Sequence, residues 1–139
     1  MSYLLDTNIC IAIVNDKPQQ ARMRVDDVLS ARSLVAVSAV TRFEMQYGSA
    51  KSNQSRRDWE RLSVFFSRLT EIPFDGEDAD AAGAVRAALE KAGAPIGAYD
   101  VQLAGQALRR QLTLVTANVC EFKRVKGLRV ENWLNRERE

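Results

Sequence analysis

The chain has 139 residues, 46% of them hydrophobic and 27% charged, with a net charge of +2 and no histidine. That length suits one domain over 1–139 with its own core; no apolar run approaches the ~20 residues that span a bilayer, and no secretory leader is read, so a cytoplasmic protein is expected. The missing histidine excludes Ser-His-Asp and Cys-His nucleophile pairs, histidine acid–base ribonucleolysis and histidine-ligated zinc, which leaves carboxylates with a hard divalent cation as the natural hydrolytic machinery.

The first element is "YLL" at 3–5, a short apolar run of strand character that ends on Asp6. Asp6, Thr7 and Asn8 then lead straight into "ICIAIV". Two readings stay open for Asp6: the cap of a helix, or a metal-binding carboxylate at the end of a core strand. "QQARMRVDDVLSA" spaces Ala21, Val25 and Val28/Leu29 at helical intervals. "LVAV" at 34–37 is a second buried strand. A helix follows from Ser38 as its cap to Gly48 as its stop. On it Val40, Glu44 and Tyr47 share a face, and an acid on an apolar-leaning face is costly unless paired or metal-bound. A capping box with Thr41 is the structural alternative for Glu44. "RRDWERLSVFFSRL" puts Trp59, Leu62, Phe66 and Leu69 on one face, as core, as a partner surface, or as both.

"EIPF" at 71–74 is the third strand, and Asp75, Glu77, Asp78 and Asp80 cap and open the Ala-rich helix that ends at Gly93. "PIGAY" then turns the chain into "AYDVQLAGQALRRQ", where Asp100, Leu103, Ala104 and Ala107 share a face. Asp100 lies in the first turn, where the helix dipole also favours an acid. "LTLVT" at 112–116 and "LRVENW" at 128–133 complete the strands. Thr116 and Asn118 repeat the strand-end polar cluster seen after Asp6, and Glu121 follows one turn later. Asn118 also reads as a simple turn or cap residue. Cys10 and Cys120 are expected to be buried thiols and not a bridge.

Strands alternating with helices argue a parallel sheet covered on both faces, with its functional crevice beyond the carboxyl ends of the strands. Charge is uneven. Residues 71–100 hold seven acids and two bases, residues 42–70 six bases and three acids, and residues 109–139 eight bases and four acids. A basic surface beside an acidic region suits a nucleic-acid partner, although a solvated mixed surface has the same composition. Several carboxylates at one crevice repel one another and protonate in part without a cation, which a divalent metal relieves. A receiver-like or phosphatase aspartate is disfavoured, because no second acid stands two residues after Asp6 and no glycine-rich phosphate loop is present.

The segments "LLDTNICI", "VSAVTRFEMQYG", "IPFD", "PIGAYDVQLAGQAL" and "LVTANVCEFKRVKGLRVENW" resemble the VapC-type toxins of the PIN-domain ribonucleases over nearly the whole chain. The resemblance implies a three-layer α/β/α PIN-like domain with a central parallel sheet. It implies metal-dependent cleavage of RNA phosphodiesters, with Mg²⁺, or Mn²⁺ in its place, held by Asp6, Glu44 and Asp100. Thr7, Asn8, Ser38 and Thr116 match supporting polar residues. The family's fourth acid falls at or near Asn118, so either Asn118 or Glu121 completes the site. Arg42, Lys51, Arg56, Arg57, Lys123, Arg124 and Lys126 are candidates for the RNA backbone. The implied partners are a VapB-type antitoxin, a second copy in a homodimer and an RNA substrate, with no membrane. "DTNICI" with "PIGAYD" is similar to the enterobacterial and plasmid type, which cleaves initiator transfer RNA in its anticodon region. A catalytically silent PIN-like binding module is the alternative.

Overall fold

The computed structural model describes residues 1–15, 19–52 and 55–134, and the side chains of residues 20 and 55–59 lie outside the described set. In chain order the elements are β1 (Ser2–Leu5), α1 (Thr7–Asn15), α2 (Gln19–Ser30), β2 (Leu34–Ser38), α3 (Ala39–Lys51), α4 (Ser55–Ser67), β3 (Thr70–Ile72), α5 (Gly76–Lys91), α6 (Ala98–Arg110), β4 (Thr113–Val115), α7 (Val119–Phe122) and β5 (Val130–Glu131). The strands form one sheet in the order β3-β2-β1-β4-β5, and every pairing is parallel.

Successive side chains on a strand point to opposite faces, so β1 feeds two cores. Tyr3 and Leu5 join Val35, Val37 and Val115 beneath α1, α2 and α4. Leu4, Ala36 and Leu114 pack beneath α5 and α6. Both faces are covered, so the central strands are apolar without alternation. Leu4, Leu5 and Leu114 are fully buried, and each contributes roughly 1.5–3 kcal/mol over an exposed position. This is the three-layer α/β/α arrangement expected from the sequence.

The chain order also fixes where a ligand can enter. From β1 the sheet is built outward through β2 and β3; the chain then returns and adds β4 and β5 on the other side. The order reverses between β1 and β4, and open α/β sheets bind ligands outside the carboxyl ends of the strands at such a point. Leu5 pairs with Val37 on one side and with Val115 on the other. The next residue on each strand end is therefore at one level: Asp6, Ser38 and Thr116. The Asp6 amide completes this by donating to the Val115 carbonyl at 2.9 Å.

Several boundaries differ from the sequence reading. Gly48 does not stop α3, which runs on to Lys51 with Ser52 as its C-cap; Gly48 keeps helical backbone, and a Cβ there would meet nothing within 4 Å. Tyr47 does not share a buried face with Val40 but is largely exposed. Cys10 is buried as expected, whereas Cys120 is exposed on the one-turn helix α7, and both are free thiols. Leu62, Phe65 and Phe66 of α4 are core, while Trp59 lies outside the described residues.

The α5–α6 pair is locked in two ways. Asp75 and Asp78 form a capping box at the start of α5, and the buried Asp78 carboxylate also accepts hydrogen bonds from Gln106, Arg109 and Arg110 of α6. Burial alone would raise Asp78, but hydrogen bonds from Arg110, the Asp75 backbone, Arg109 and Gln106 overcome it and hold the carboxyl well below the usual range. At the crossing itself, a Cβ on Gly105 would lie 2.4 Å from the Ala82 Cα. A Gly105→Ala chain must therefore separate the two helices. Overpacking of this kind costs about 1–3 kcal/mol, to be read as a lower denaturant midpoint at unchanged slope. An unaltered midpoint would show that α6 shifts freely.

Candidate active site

Asp6 takes the first of its two readings, the cap of a helix, from its place just after β1. It is only 3% exposed. Its Oδ1 accepts the Ile9 amide at 2.9 Å, which caps the start of α1, and its carboxyl also interacts as a charge with Glu44 and Asp100. Burial is the main influence and raises the Asp6 pKa. Hydrogen bonds from Thr116 and the Ile9 backbone oppose this, and the Glu44 charge adds to it. The Cys10 thiol beneath is pushed well up, first by burial and then by the Asp6 charge.

Glu44 comes from α3. No capping box holds it: the N-cap of α3 is Ser38, whose Oγ accepts the Val40 amide at 3.0 Å. Instead Glu44 Oε1 accepts the Thr7 hydroxyl at 2.5 Å. Thr7 Oγ1 in turn lies 3.0 Å from Thr41 Oγ1. Thr41 is a residue of the site region that pattern reading placed only as a cap. Its one signal in the sequence was its position one turn before Glu44.

Asp100 enters in the first turn of α6. Gly97 precedes it as the N-cap, and a side chain there would crowd it, because a Cβ would stand 3.2 Å from Asp100 Oδ2. The Asp100 pKa rises to about 6. Burial contributes most, followed by the charges of Glu121, Asp6 and Glu44 and a hydrogen bond shared with Glu121. The fourth position is thereby divided between two residues. Glu121 faces Asp100, and Asn118 holds Glu121 through an Nδ2–Oε1 bond of 2.7 Å. The Asn118 backbone N–H donates in turn to Thr116 Oγ1 at 2.9 Å. Ser38 is fully buried as a helix cap, and the Asn8 side chain is exposed.

The acids therefore act on one another as charges, yet among the described residues no three of them stand close enough to ligate a single ion. This is looser than the three-carboxylate cage expected for Asp6, Glu44 and Asp100. Threonine and asparagine hydrogen bonds hold Glu44 and Glu121 in place, and like charges do not close up on their own. The donor set still suits Mg²⁺, a hard cation that takes oxygen ligands, keeps several waters and uses one or two carboxylates together with substrate phosphate. Among the described residues none of the four acids is in an ion pair.

The expected RNA-binding cations are scattered. Arg42 pairs with Glu71 at 2.8 Å, and Lys51 lies over the Tyr47 ring at 5.1 Å. Lys123, Arg124 and Lys126 are exposed beside α7, and Arg124 ties that segment to the loop before α6 by donating to the Pro95 carbonyl at 2.9 Å. The Arg56 and Arg57 side chains lie outside the described residues.

The Asp100 shift has a sign. A carboxyl that binds its proton more tightly in the folded state than in the unfolded one destabilises the fold as pH rises between the two pKa values. For Asp100 that window runs from about 3.8 to about 6. Asp100→Asn removes the charge, so its stability advantage over the parent chain, measured without metal, should grow as pH rises from 4 to 7. A constant difference across that range would contradict the burial and crowding of Asp100.

The PIN domain family profile matches residues 3–128. The chain is 38% identical over 133 residues to the tRNA(fMet)-specific endonuclease VapC of Shigella flexneri, covering 96% of this chain and 98% of that one. It is 37% identical over 133 residues to Ribonuclease VapC2 of Rickettsia felis, with the same coverage of 96% and 98%. Among solved structures it superposes on VapBC2 of Rickettsia felis bound to a promoter DNA fragment, with a TM-score of 0.90 at 34% identity over 96% of this chain and 99% of that one. It also superposes on DNA-bound VapBC of Salmonella typhimurium, with a TM-score of 0.89 at 37% identity over 96% and 98%. The chain belongs to the PIN domain family, among its VapC-type ribonucleases.

Proposed function

We propose that this nuclease is a Mg²⁺- or Mn²⁺-dependent endoribonuclease, the toxin of a toxin–antitoxin pair, and that it hydrolyses transfer RNA in the cytoplasm and so stops translation. The observation that carries the metal dependence is the mutual repulsion of Asp6, Glu44, Asp100 and Glu121, none of them in an ion pair among the described residues. The transfer RNA substrate is favoured by the tRNA(fMet)-specific relative in Shigella flexneri, and initiator transfer RNA is the first candidate within that class.

When bound, the cation supplies a Lewis acid that lowers the pKa of a water and neutralises charge growing on the phosphate. Asp6, Glu44 and Asp100 would hold it, directly or through its waters. Thr116 orients Asp6, Thr7 orients Glu44, and Asn118 orients Glu121. With its pKa near 6, Asp100 carries a proton in mildly acidic solution and would have to give it up to hold a cation. Arg42, Lys51, Lys123, Arg124 and Lys126, with Arg56 and Arg57, contact the RNA backbone, which fixes register without reading sequence.

A VapB-type antitoxin fits the apolar cleft between α1, α3 and α4. Ile11, Val14, Met45 and Leu62 line it, and Glu44 and Arg61 stand in it. A segment lying there runs up to the acid cluster, where a positive side chain would compete with the cation. The exposed aromatic pair Phe43 and Tyr99, 56% and 42% exposed with centroids 5.6 Å apart, offers a face for a second copy of the chain.

The test is cleavage of total transfer RNA by the purified, antitoxin-free chain with Mg²⁺, with Mn²⁺ and with chelator. Discrete fragments are expected only with metal, and Asp6→Asn should slow their formation at least about 100-fold, the loss of several kcal/mol of transition-state stabilisation. Cleavage that survives chelator or Asp6→Asn would overturn the metal reading. A folded, metal-loaded chain that cuts no RNA would favour a silent binding module.

A further inference from the structure

Thr7 Oγ1 carries one proton and has two neighbours, Glu44 Oε1 at 2.5 Å and Thr41 Oγ1 at 3.0 Å. A carboxylate only accepts, so the Thr7 proton goes to Glu44. The Thr7–Thr41 contact can then be a hydrogen bond only if Thr41 is the donor. The polarity of the chain is thus fixed as Thr41 O–H to Thr7 Oγ1, then Thr7 O–H to Glu44 Oε1.

We infer that Thr41 is a positioning residue for Glu44, acting through the Thr7 hydroxyl. Thr41 is fully buried. Its position is set by α3, the same helix that carries Glu44 one turn further on. Thr7 belongs to α1, so the relay joins two helices at the crevice. With the Thr41 donor in place, the Thr7 oxygen is satisfied as an acceptor and its proton is aimed at Glu44. Hydrogen bonds in a chain polarise one another, so donation by Thr41 also strengthens the bond on Glu44. Without it Thr7 keeps its proton but loses the partner that fixes its rotamer, and Glu44 loses its orientation.

This inference rests on the reading that Glu44 helps hold the divalent cation. Removing an outer partner of a metal ligand commonly weakens metal binding 10–100-fold, and Thr41 stands one bond further out. Calorimetric titration of the full chain with Mn²⁺ reads the effect directly. Thr41→Val keeps the shape and removes the hydroxyl, and should weaken Mn²⁺ binding about tenfold, the lower end of that range. Thr41→Ser keeps the hydroxyl and should bind as the parent does. Half-maximal cleavage by Thr41→Val should need correspondingly more metal, with the rate at saturating metal little changed.

A Glu44→Ala background separates positioning from packing: there, Thr41→Val should make no further difference to Mn²⁺ affinity. The inference is overturned if Thr41→Val binds Mn²⁺ as tightly as the parent, or if its loss persists undiminished in the Glu44→Ala background. Should Thr41→Val fail to give a cooperative melt, Thr41→Ala with the same titration serves in its place. If the parent chain itself binds no Mn²⁺ and cleaves in chelator, the metal reading fails together with the inference, and that outcome is recognised in the parent alone.

Discussion

Four acids act on one another as charges beyond the carboxyl ends of the strands, and their mutual repulsion in a partly buried crevice is what the surrounding structure has to manage. Asp6 is nearly closed off from water, and Asp100 feels the charges of all three others. Left alone, such a group would spread apart or take up protons. Three of the four are held by neutral donors: Asp6 by Thr116 and the α1 amides, Glu44 by Thr7, and Glu121 by Asn118. Neutral donors fix a carboxylate without cancelling its charge. The cluster therefore keeps its negative charge, which an arginine in the same place would have cancelled.

Asp100 depends on a distant lock. Its helix is seated against α5 by the Gly105–Ala82 approach at one level and by Asp78 with Gln106, Arg109 and Arg110 at another. Breaking a buried charge pair on one side costs far more than the pair contributes in net stability, so this second contact specifies where α6 sits along α5 more than it adds to the fold. A position set in this way carries through the rigid helix to its first turn, where Asp100 projects into the crevice. Metal sites need outer support of this kind, since a ligand displaced by an ångström changes affinity as surely as one deleted.

Asn118 and Glu121 illustrate why a linear pattern leaves a site incomplete. In the chain they are alternatives for one position. In the fold they are successive members of one hydrogen-bonded line, Thr116 to Asn118 to Glu121, which ends against Asp100. Three residues of separation across the start of a short helix bring the two side chains together, and the acid reaches inward while the amide stays at its outer edge. Thr41 was hidden for a related reason. Its partner Thr7 lies 34 residues away on another helix, and no local periodicity encodes that contact.

The sequence by itself determined the alternation of strands and helices, the apolar runs that demand a sheet covered on both faces, and the acids that sit where an acid is expensive. Its lack of histidine narrowed the chemistry to carboxylates with a hard cation. These are local facts: a run of three or four buried residues, an acid one turn from a valine, a cap before a helix. The end of α3 was misread because Gly48 stands in open space and helical backbone tolerates it there, and Tyr47 was misplaced because a face pattern does not say how far the neighbouring helix extends. Only the tertiary structure decided which acids meet. Parallel pairing sets Asp6 level with Thr116 through the Leu5–Val115 register, and the α5–α6 seat brings Asp100 to them. Those placements depend on contacts between residues from 23 to 110 positions apart, and such contacts are settled by packing and register, not by the identity of any one residue.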